Sequence, residues 1–352
     1  MKILIIAAAL LALSPPEPWQ TSGTNTGEWT LRLSDSWSRT SGGERWVSLQ
    51  LERNDGRRWG TSVRLADLEG LGPRGTDYTG DARFTLNRDA GTIAFEGRFS
   101  DGRGRGTYRF TANEDYIQTL RSLGYRDLDN DDLFRLTALD VSRQFVTSIQ
   151  HEGYKEVALD DLVRMRIHGV DAAYIREFHE GGYPQLPVED LVRSRIHGAT
   201  PRFIQDVKAA GFEKLSIDDL VRMRIHGVTP VFIRQIREVG YTDLTVEQLV
   251  RLRIHGVSAP FVKEIRALGY PDVSLEDLVK MKIHGVTPSF IRELKELGYG
   301  KVSANGLVRF RIHGVTPELI RDARAAGFKD LDEEDLVDLS IHGRRWLNKR
   351  KG

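Results

Sequence analysis

Seven His-Gly pairs recur at a fixed spacing of 29 residues: His168-Gly169, His197-Gly198, His226-Gly227, His255-Gly256, His284-Gly285, His313-Gly314 and His342-Gly343. A histidine series invites a metal reading. Zinc, however, needs ligands converging at about 2.0–2.1 Å. One histidine per repeat sets successive imidazoles roughly a helix-packing distance apart, about 8–10 Å. Two cannot share an ion without other ligands. The expected role is structural. Histidine in the last turn of a helix can hydrogen-bond free carbonyls and suits the dipole when charged, and the glycine after it can take the left-handed conformation. His151-Glu152 and His179-Glu180 begin like the zinc-protease motif His-Glu-x-x-His, but no second histidine follows. No metal and no cofactor is expected.

Paired basic residues are the second chemistry to weigh: Arg164/Arg166, Arg193/Arg195, Arg222/Arg224, Arg251/Arg253, Lys280/Lys282 and Arg309/Arg311. Two residues apart on a helix means roughly opposite faces, so the two rows do not make one stripe. The first row has a local explanation. Asp160/Arg164, Glu189/Arg193, Asp218/Arg222, Glu247/Arg251 and Glu276/Lys280 are i,i+4 pairs in the favourable order, each worth about 0.2–0.5 kcal/mol. Residues 1–113 hold 15 Lys+Arg and 13 Asp+Glu, which leaves 36 and 37 for residues 114–352. A nucleic-acid binder normally carries a basic domain. Gly227-Val228-Thr229-Pro230 resembles the hairpin of helix-hairpin-helix DNA-binding motifs, but Thr229 replaces the second glycine that lets the backbone approach a phosphate. Nucleic acid is therefore not the expected partner.

Catalysis finds no constellation. There is no Gly-x-Ser-x-Gly, no phosphate-cradling loop before a helix and no isolated acid/base pair. Gly102-Arg103-Gly104-Arg105-Gly106 lies between strand patterns and reads as part of a hairpin. Trp37, Trp46 and Trp59 admit two readings: they line a surface for a cell-envelope glycan, or they fill core and cover strand ends.

These residues need elements to hold them. In residues 216–244, Ser216 and Asp219 mark a helix start as a variant capping box. Ile217, Leu220, Val221 and Ile225 then recur at helical spacing. Gly227 ends that helix. Thr229-Pro230 starts a second, with Phe232, Ile233, Ile236 and Val239 as its apolar face and Gly240 at its end. Each unit is a short helical hairpin, too short to be stable alone, so neighbours must stack. Six well-formed hairpins are expected, after a lone helix from Tyr116 and a degenerate unit in which Leu139-Asp140 replaces His-Gly. Residues 28–112 alternate instead with period two, with turns at Asn54-Asp55-Gly56, Arg88-Asp89-Ala90-Gly91 and Asp101-Gly102-Arg103-Gly104. The fold class is α+β and multidomain: a small antiparallel β-domain (sandwich or open barrel) at 28–112, then an α-hairpin array resembling an α-solenoid at 113–343 and a basic tail at 344–352.

Hydrophobic content of 40% and charged content of 29% fit a globular protein, and the net charge of +1 gives no general push towards anionic partners. Cysteine is absent, which excludes disulfides and thiolate metal sites. Residues 1–14 read as a secretory signal: Lys2, then an apolar run from Ile3 to Leu13. That run is well short of a bilayer core of about 30 Å. A Pro/Ser/Thr/Gly-rich linker follows at 15–27.

The repeat Leu220-Val221-Arg222-Met223-Arg224-Ile225-His226-Gly227-Val228-Thr229-Pro230-Val231-Phe232-Ile233 is similar to helical-hairpin repeats in the tails of bacterial M56 (BlaR1-type) antirepressor membrane metallopeptidases, and in related exported proteins. The resemblance covers roughly residues 114–343. Asp89-Ala90-Gly91-Thr92 and Phe95-Glu96-Gly97-Arg98-Phe99 resemble the segment before such repeats. The resemblance implies a sensory or scaffold role outside the cytoplasm. The peptidase itself is missing, so no proteolytic residue carries over. The expectation is an extracytoplasmic, non-enzymatic protein that binds a protein partner, such as an envelope or membrane sensor. Candidate contact residues, placed opposite the apolar face of the second helices, are Arg202, Gln205, Val231, Gln235, Ser289 and Glu293.

Overall fold

The computed structural model describes residues 26–33, 45–72 and 77–343. The expected signal, most of the linker, Trp37 and the basic tail lie outside the described residues. The chain divides into two compact units, residues 1–195 and 196–352.

The first unit opens with seven strands: β1 (Thr26–Arg32), β2 (Trp46–Arg53), β3 (Arg58–Arg64), β4 (Leu68–Glu69), β5 (Gly80–Arg88), β6 (Gly91–Ser100) and β7 (Arg103–Ala112). They form one antiparallel sheet in the order β3-β2-β1-β7-β6-β5-β4. Of the two architectures left open by the strand pattern, it is the open half-barrel. Alternate residues are buried along each strand, as in the buried Trp29, Leu31, Leu49, Leu51, Phe84, Phe95, Tyr108 and Phe110. The glycine-rich stretch has a packing reason. A Cβ at Gly104 or Gly106 would lie 2.7 Å from the Trp29 indole, and one at Gly97 2.8 Å from it. Glycine lets the indole lie flat on β6 and β7, where its Nε1 donates to the Glu96 carbonyl at 3.2 Å.

Six helices complete this unit: α1 (Glu114–Ser122), α2 (Asn130–Ala138), α3 (Arg143–His151), α4 (Leu159–His168), α5 (Ala172–Glu180) and α6 (Val188–His197), the last carrying the division between units. Phe134 of α2 is buried against the sheet. Its ring stacks on Tyr108 at 5.6 Å and meets Trp59 and Phe110 edge-on at 5.4 and 5.6 Å. Ion pairs surround this junction. Asp89, in the β5–β6 turn, accepts from the Arg143 backbone N–H at 2.7 Å and from its Nε at 2.9 Å. Asp131 pairs with Arg53 and Arg57. Sheet and first helices thus share one core.

The second unit contains α7 (Pro201–Ala209), α8 (Ile217–Ile225), α9 (Pro230–Glu238), α10 (Val246–Ile254), α11 (Ala259–Ala267), α12 (Leu275–Ile283), α13 (Pro288–Glu296), α14 (Ala304–Ile312), α15 (Pro317–Ala325) and α16 (Glu333–His342). First helices pack on first helices, α8 on α10 and α10 on α12, and second on second, α9 on α11 and α11 on α13. The expected caps form. Ser216 accepts from the Asp219 N–H at 3.0 Å, and Thr229 from the Phe232 N–H at 3.1 Å, with Pro230 at the first helical position. The Asp219 carboxylate takes the Ser216 hydroxyl at 2.8 Å, so the box is not reciprocal through the backbone. Thr245 and Gln248 make the full box. Gly227 is left-handed at φ 69°, and the Val228 N–H reaches the Met223 carbonyl at 2.8 Å, closing the helix as a Schellman motif.

Two expectations about helix faces are corrected. Ile225 does not join the apolar face: it is 56% exposed, while Leu220, Val221 and Met223 are buried. At 3.6 residues per turn Ile225 lies about 40° beyond Val221, away from the arc centred on Leu220 and Met223. The first basic row is likewise not held mainly within its own helix.

Candidate partner surface of the repeats

Each basic row reaches a different neighbouring repeat. The first row reaches forward to the acidic start of the next first helix: Arg135 to Asp160, Arg164 to Glu189, Arg251 to Glu276 and Arg309 to Glu334, all at 2.5 Å, and Arg222 to Glu247. Within a helix the contacts are i,i+3, Arg164–Asp161 at 3.0 Å and Arg193–Asp190 at 2.8 Å, apart from a 3.9 Å Lys280–Glu276 pair. The acid lies at the N-terminus of one first helix and the base in the last turn of the first helix before it, and side-by-side packing of first helices brings the two together. The Arg164 hydrogen bond and charge hold the Glu189 carboxyl below its usual range, and Arg251 and Arg309 do the same to Glu276 and Glu334.

The second row reaches back. Arg166 lies over Phe145 at 5.5 Å, Arg195 over Tyr174 at 4.7 Å, Arg224 over Phe203 at 5.0 Å, Arg253 over Phe232 at 4.9 Å, Lys282 over Phe261 at 4.1 Å and Arg311 over Phe290 at 5.1 Å. Cations at these distances are attracted by the ring face. Among the described residues Arg195, Arg224, Arg253, Lys282 and Arg311 have no carboxylate within ion-pairing distance.

Asp140 explains the degenerate unit. It stands at the glycine position of the repeat, left-handed at φ 56°. Its carboxylate pairs with Arg88 of β5 at 3.1 Å and with Arg166 of α4. Elsewhere the matching arginine lies beside a glycine: a Cβ at Gly198 or Gly227 would sit 3.0 Å from Arg224 or Arg253. The aspartate turns this contact into a tie between repeat and sheet.

The histidines act through their backbone. His226 and His255 are half-buried C-caps whose N–H groups donate to Arg222 and Arg251 carbonyls at 3.1 Å. Among the described members of the series, a side-chain bond to a backbone carbonyl is made by His342, to Asp338 at 3.0 Å. In two repeats the next repeat supplies the donor instead, Arg311 Nε to the His284 carbonyl at 3.4 Å and Ser340 Oγ to the His313 carbonyl at 2.5 Å. Burial, aided by Arg164, lowers the His168 pKa. Among the described residues no three His, Asp or Glu side chains are grouped as a metal ion would require.

Of the six candidate contact residues, Arg202, Gln205, Val231, Gln235 and Ser289 are exposed and Glu293 is half-buried. Two are engaged in ion pairs, Arg202 with Asp206 at 3.3 Å and Glu293 with Arg321 at 3.1 Å. Ser289 shares a 2.8 Å hydrogen bond with Thr287. Arg202, Val231 and Ser289 hold one repeat register on α7, α9 and α13, so this face changes chemistry from repeat to repeat.

Trp46 and Trp59 form no common platform. Trp59 is half-buried on the Phe134 side, with the Arg53 guanidinium 5.5 Å from its ring. Trp46 starts β2 opposite Arg64, whereas Trp59 pairs with Leu51. Five residues of strand, about 17 Å, and opposite sheet faces separate them. A cavity of about 320 Å³ lies between α2 and α4, lined by Tyr125, Asp127, Asp132, Arg135 and Asp160 among others. Burial raises the Asp132 pKa there. Its Arg135–Asp160 pair already satisfies much of that charge.

Three features escaped the sequence reading. Ile196, Ile225, Ile254, Ile283, Ile312 and Ile341 are 51–56% exposed, one per repeat. Second-helix arginines also reach back: Arg237, Arg266 and Arg324 lie over Phe212, Tyr241 and Tyr299 and donate to the Ala210, Val239 and Leu297 carbonyls. Tyrosines reach forward: Tyr125, Tyr154, Tyr270 and Tyr299 donate to carbonyls 32 residues ahead at 2.7–3.0 Å. All three recur with the repeat period, which was the available signal. No protein-family model matches the chain, and no curated protein matches it. Among the described residues no helix is long and apolar enough to cross a membrane.

Proposed function

We propose that this is an exported, non-enzymatic scaffold whose hairpin repeats hold a protein partner, as an accessory to envelope sensing or antirepressor signalling. The observation that carries the reading is the contrast between the two sides of the repeat. Its interior and inter-repeat contacts recur rung after rung, whereas the exposed second-helix register reads Arg202, Val231, Pro260, Ser289 and Glu318. A constant frame with a varying outer face is the arrangement by which repeat proteins recognise other chains. The apolar run at residues 3–13 supports export, and the resemblance to metallopeptidase tails supports the envelope setting.

The test is affinity capture with the purified full chain from envelope extracts. The same protein should be retained repeatedly and lost with the double variant Val231→Asp/Gln235→Ala. Failure to retain any partner reproducibly, or equal retention by the variant, would count against the reading.

A further inference from the structure

We propose that the isoleucine ladder at the ends of the first helices is a binding track for an extended acidic peptide with interspersed apolar residues. The inference rests on the scaffold reading above and gives that reading a second surface and a partner chemistry.

These isoleucines stand outside the buried core. Ile225, Ile254, Ile283 and Ile312 each keep more than half their surface in water, yet the residue before the repeat histidine is isoleucine in all seven units from Ile167 to Ile341. The exposed second-helix register has diverged over the same duplications, so copying alone does not account for the constancy. A regular line of exposed apolar side chains marks an interaction site.

Charge identifies the occupant. From Ile167 to Ile312 each isoleucine follows a second-row cation directly, as in Arg224-Ile225 and Arg253-Ile254, and lies one turn after a first-row cation, whereas Ile341 follows Ser340. At Arg222, Arg251 and Arg309 the first-row cation is already neutralised by the next repeat's acid, and Lys280 is paired with Glu276 of its own helix. At Arg224, Arg253, Lys282 and Arg311 the second-row cation is not: its ring neighbour covers one face and leaves its charge without a carboxylate. A planar guanidinium pre-ordered in this way is suited to a carboxylate fork. Each rung from Ile225 to Ile312 therefore offers one apolar contact and one uncompensated cation. Neighbouring first helices repeat this at about 8–10 Å. A polyproline II segment has three residues per turn and a 3.1 Å rise, so it returns to one face every ~9.3 Å. An acidic, apolar segment in that conformation would match successive rungs with little ordering cost.

The probe is a fluorescein-labelled 15-residue peptide repeating glutamate-proline-leucine, titrated against the full chain by anisotropy. A lysine-proline-leucine peptide and phosphatidylglycerol vesicles are the comparisons. The acidic peptide should bind and the lysine peptide should not. The triple variant Ile225→Ser/Ile254→Ser/Ile283→Ser should weaken binding at least ten-fold while keeping its melting temperature, and Arg253→Gln should weaken it as well. Unchanged binding by the triple variant, or no binding of the acidic peptide, overturns the proposal. Isoleucine-dependent vesicle binding without peptide binding also overturns it, in favour of an anionic lipid surface. If the peptide fails while the partner of the capture experiment is retained, the ladder is wrong and the scaffold reading stands; if both fail, the scaffold reading goes too.

Discussion

Phe134→Ala should destabilise the sheet although the residue belongs to a helix. Phe134 is 1% exposed. Truncating a buried phenylalanine costs about 3–5 kcal/mol. Three aromatic partners, Trp59, Tyr108 and Phe110, surround the ring, and such pairs add about 0.5–1.5 kcal/mol each beyond area. These terms overlap, so the expected loss is in the upper half of the range, about 4 kcal/mol. A domain has only about 5–15 kcal/mol in total. Hydrogen exchange read by mass spectrometry resolves where the loss falls. At 1.4 kcal/mol per factor of ten, opening of β3, β7 and α2 should rise together by about three orders of magnitude, with the far repeats unchanged. A variant that loosens α2 but leaves β3 and β7 protected would refute the shared core. So would a loss below about 1 kcal/mol, since a merely surface contact costs that little.

Acid should loosen the repeats. The carboxyls of Glu189, Glu276 and Glu334 are lowered by their arginine partners. Their contribution is present above the unfolded value near 4.3 and disappears as pH falls through and below it, so melting temperature should drop there and less steeply in Arg251→Gln, by circular dichroism. Alkali acts through tyrosine. Burial pushes Tyr154 up to about 12, so stability present below its unfolded value near 10 should fall as pH rises from 10 to 12, and Tyr154→Phe should reduce that dependence. Gly227→Ala places a side chain at φ 69° and should cost about 1–2 kcal/mol in urea unfolding. Tyr270→Phe leaves the Val302 carbonyl without its 2.7 Å donor and should cost about 1–3 kcal/mol by the same assay.

Much of the frame was legible because local chemistry and period agree. Ser216, Thr229-Pro230 and Gly227 announce the helix ends, and Phe232, Ile233, Ile236 and Val239 are buried as their spacing requires. Gly104 and Gly106 read as part of a hairpin turn rather than a nucleotide loop, but they lie within β7, and nothing local shows that Trp29 needs their space. What resisted was everything between repeats. An i,i+4 pair such as Glu247/Arg251 is visible in one helix, but Arg251 turns to Glu276, and that choice depends on how helices stack. Arg224 over Phe203 and Arg166 on Asp140 have the same origin. Ile225 misled because four residues is close to a whole turn, which hides a rotation past the edge of the core.

The central claim is that the repeats hold a protein partner outside the cytoplasm. Proximity labelling from the full chain in the native cell, with fractionation of the labelled material, tests it most directly. The account predicts this chain in the envelope fraction, a reproducible set of labelled envelope proteins, and loss of that set with Val231→Asp/Gln235→Ala. Labels confined to cytoplasmic nucleoid proteins would contradict both the export and the scaffold role.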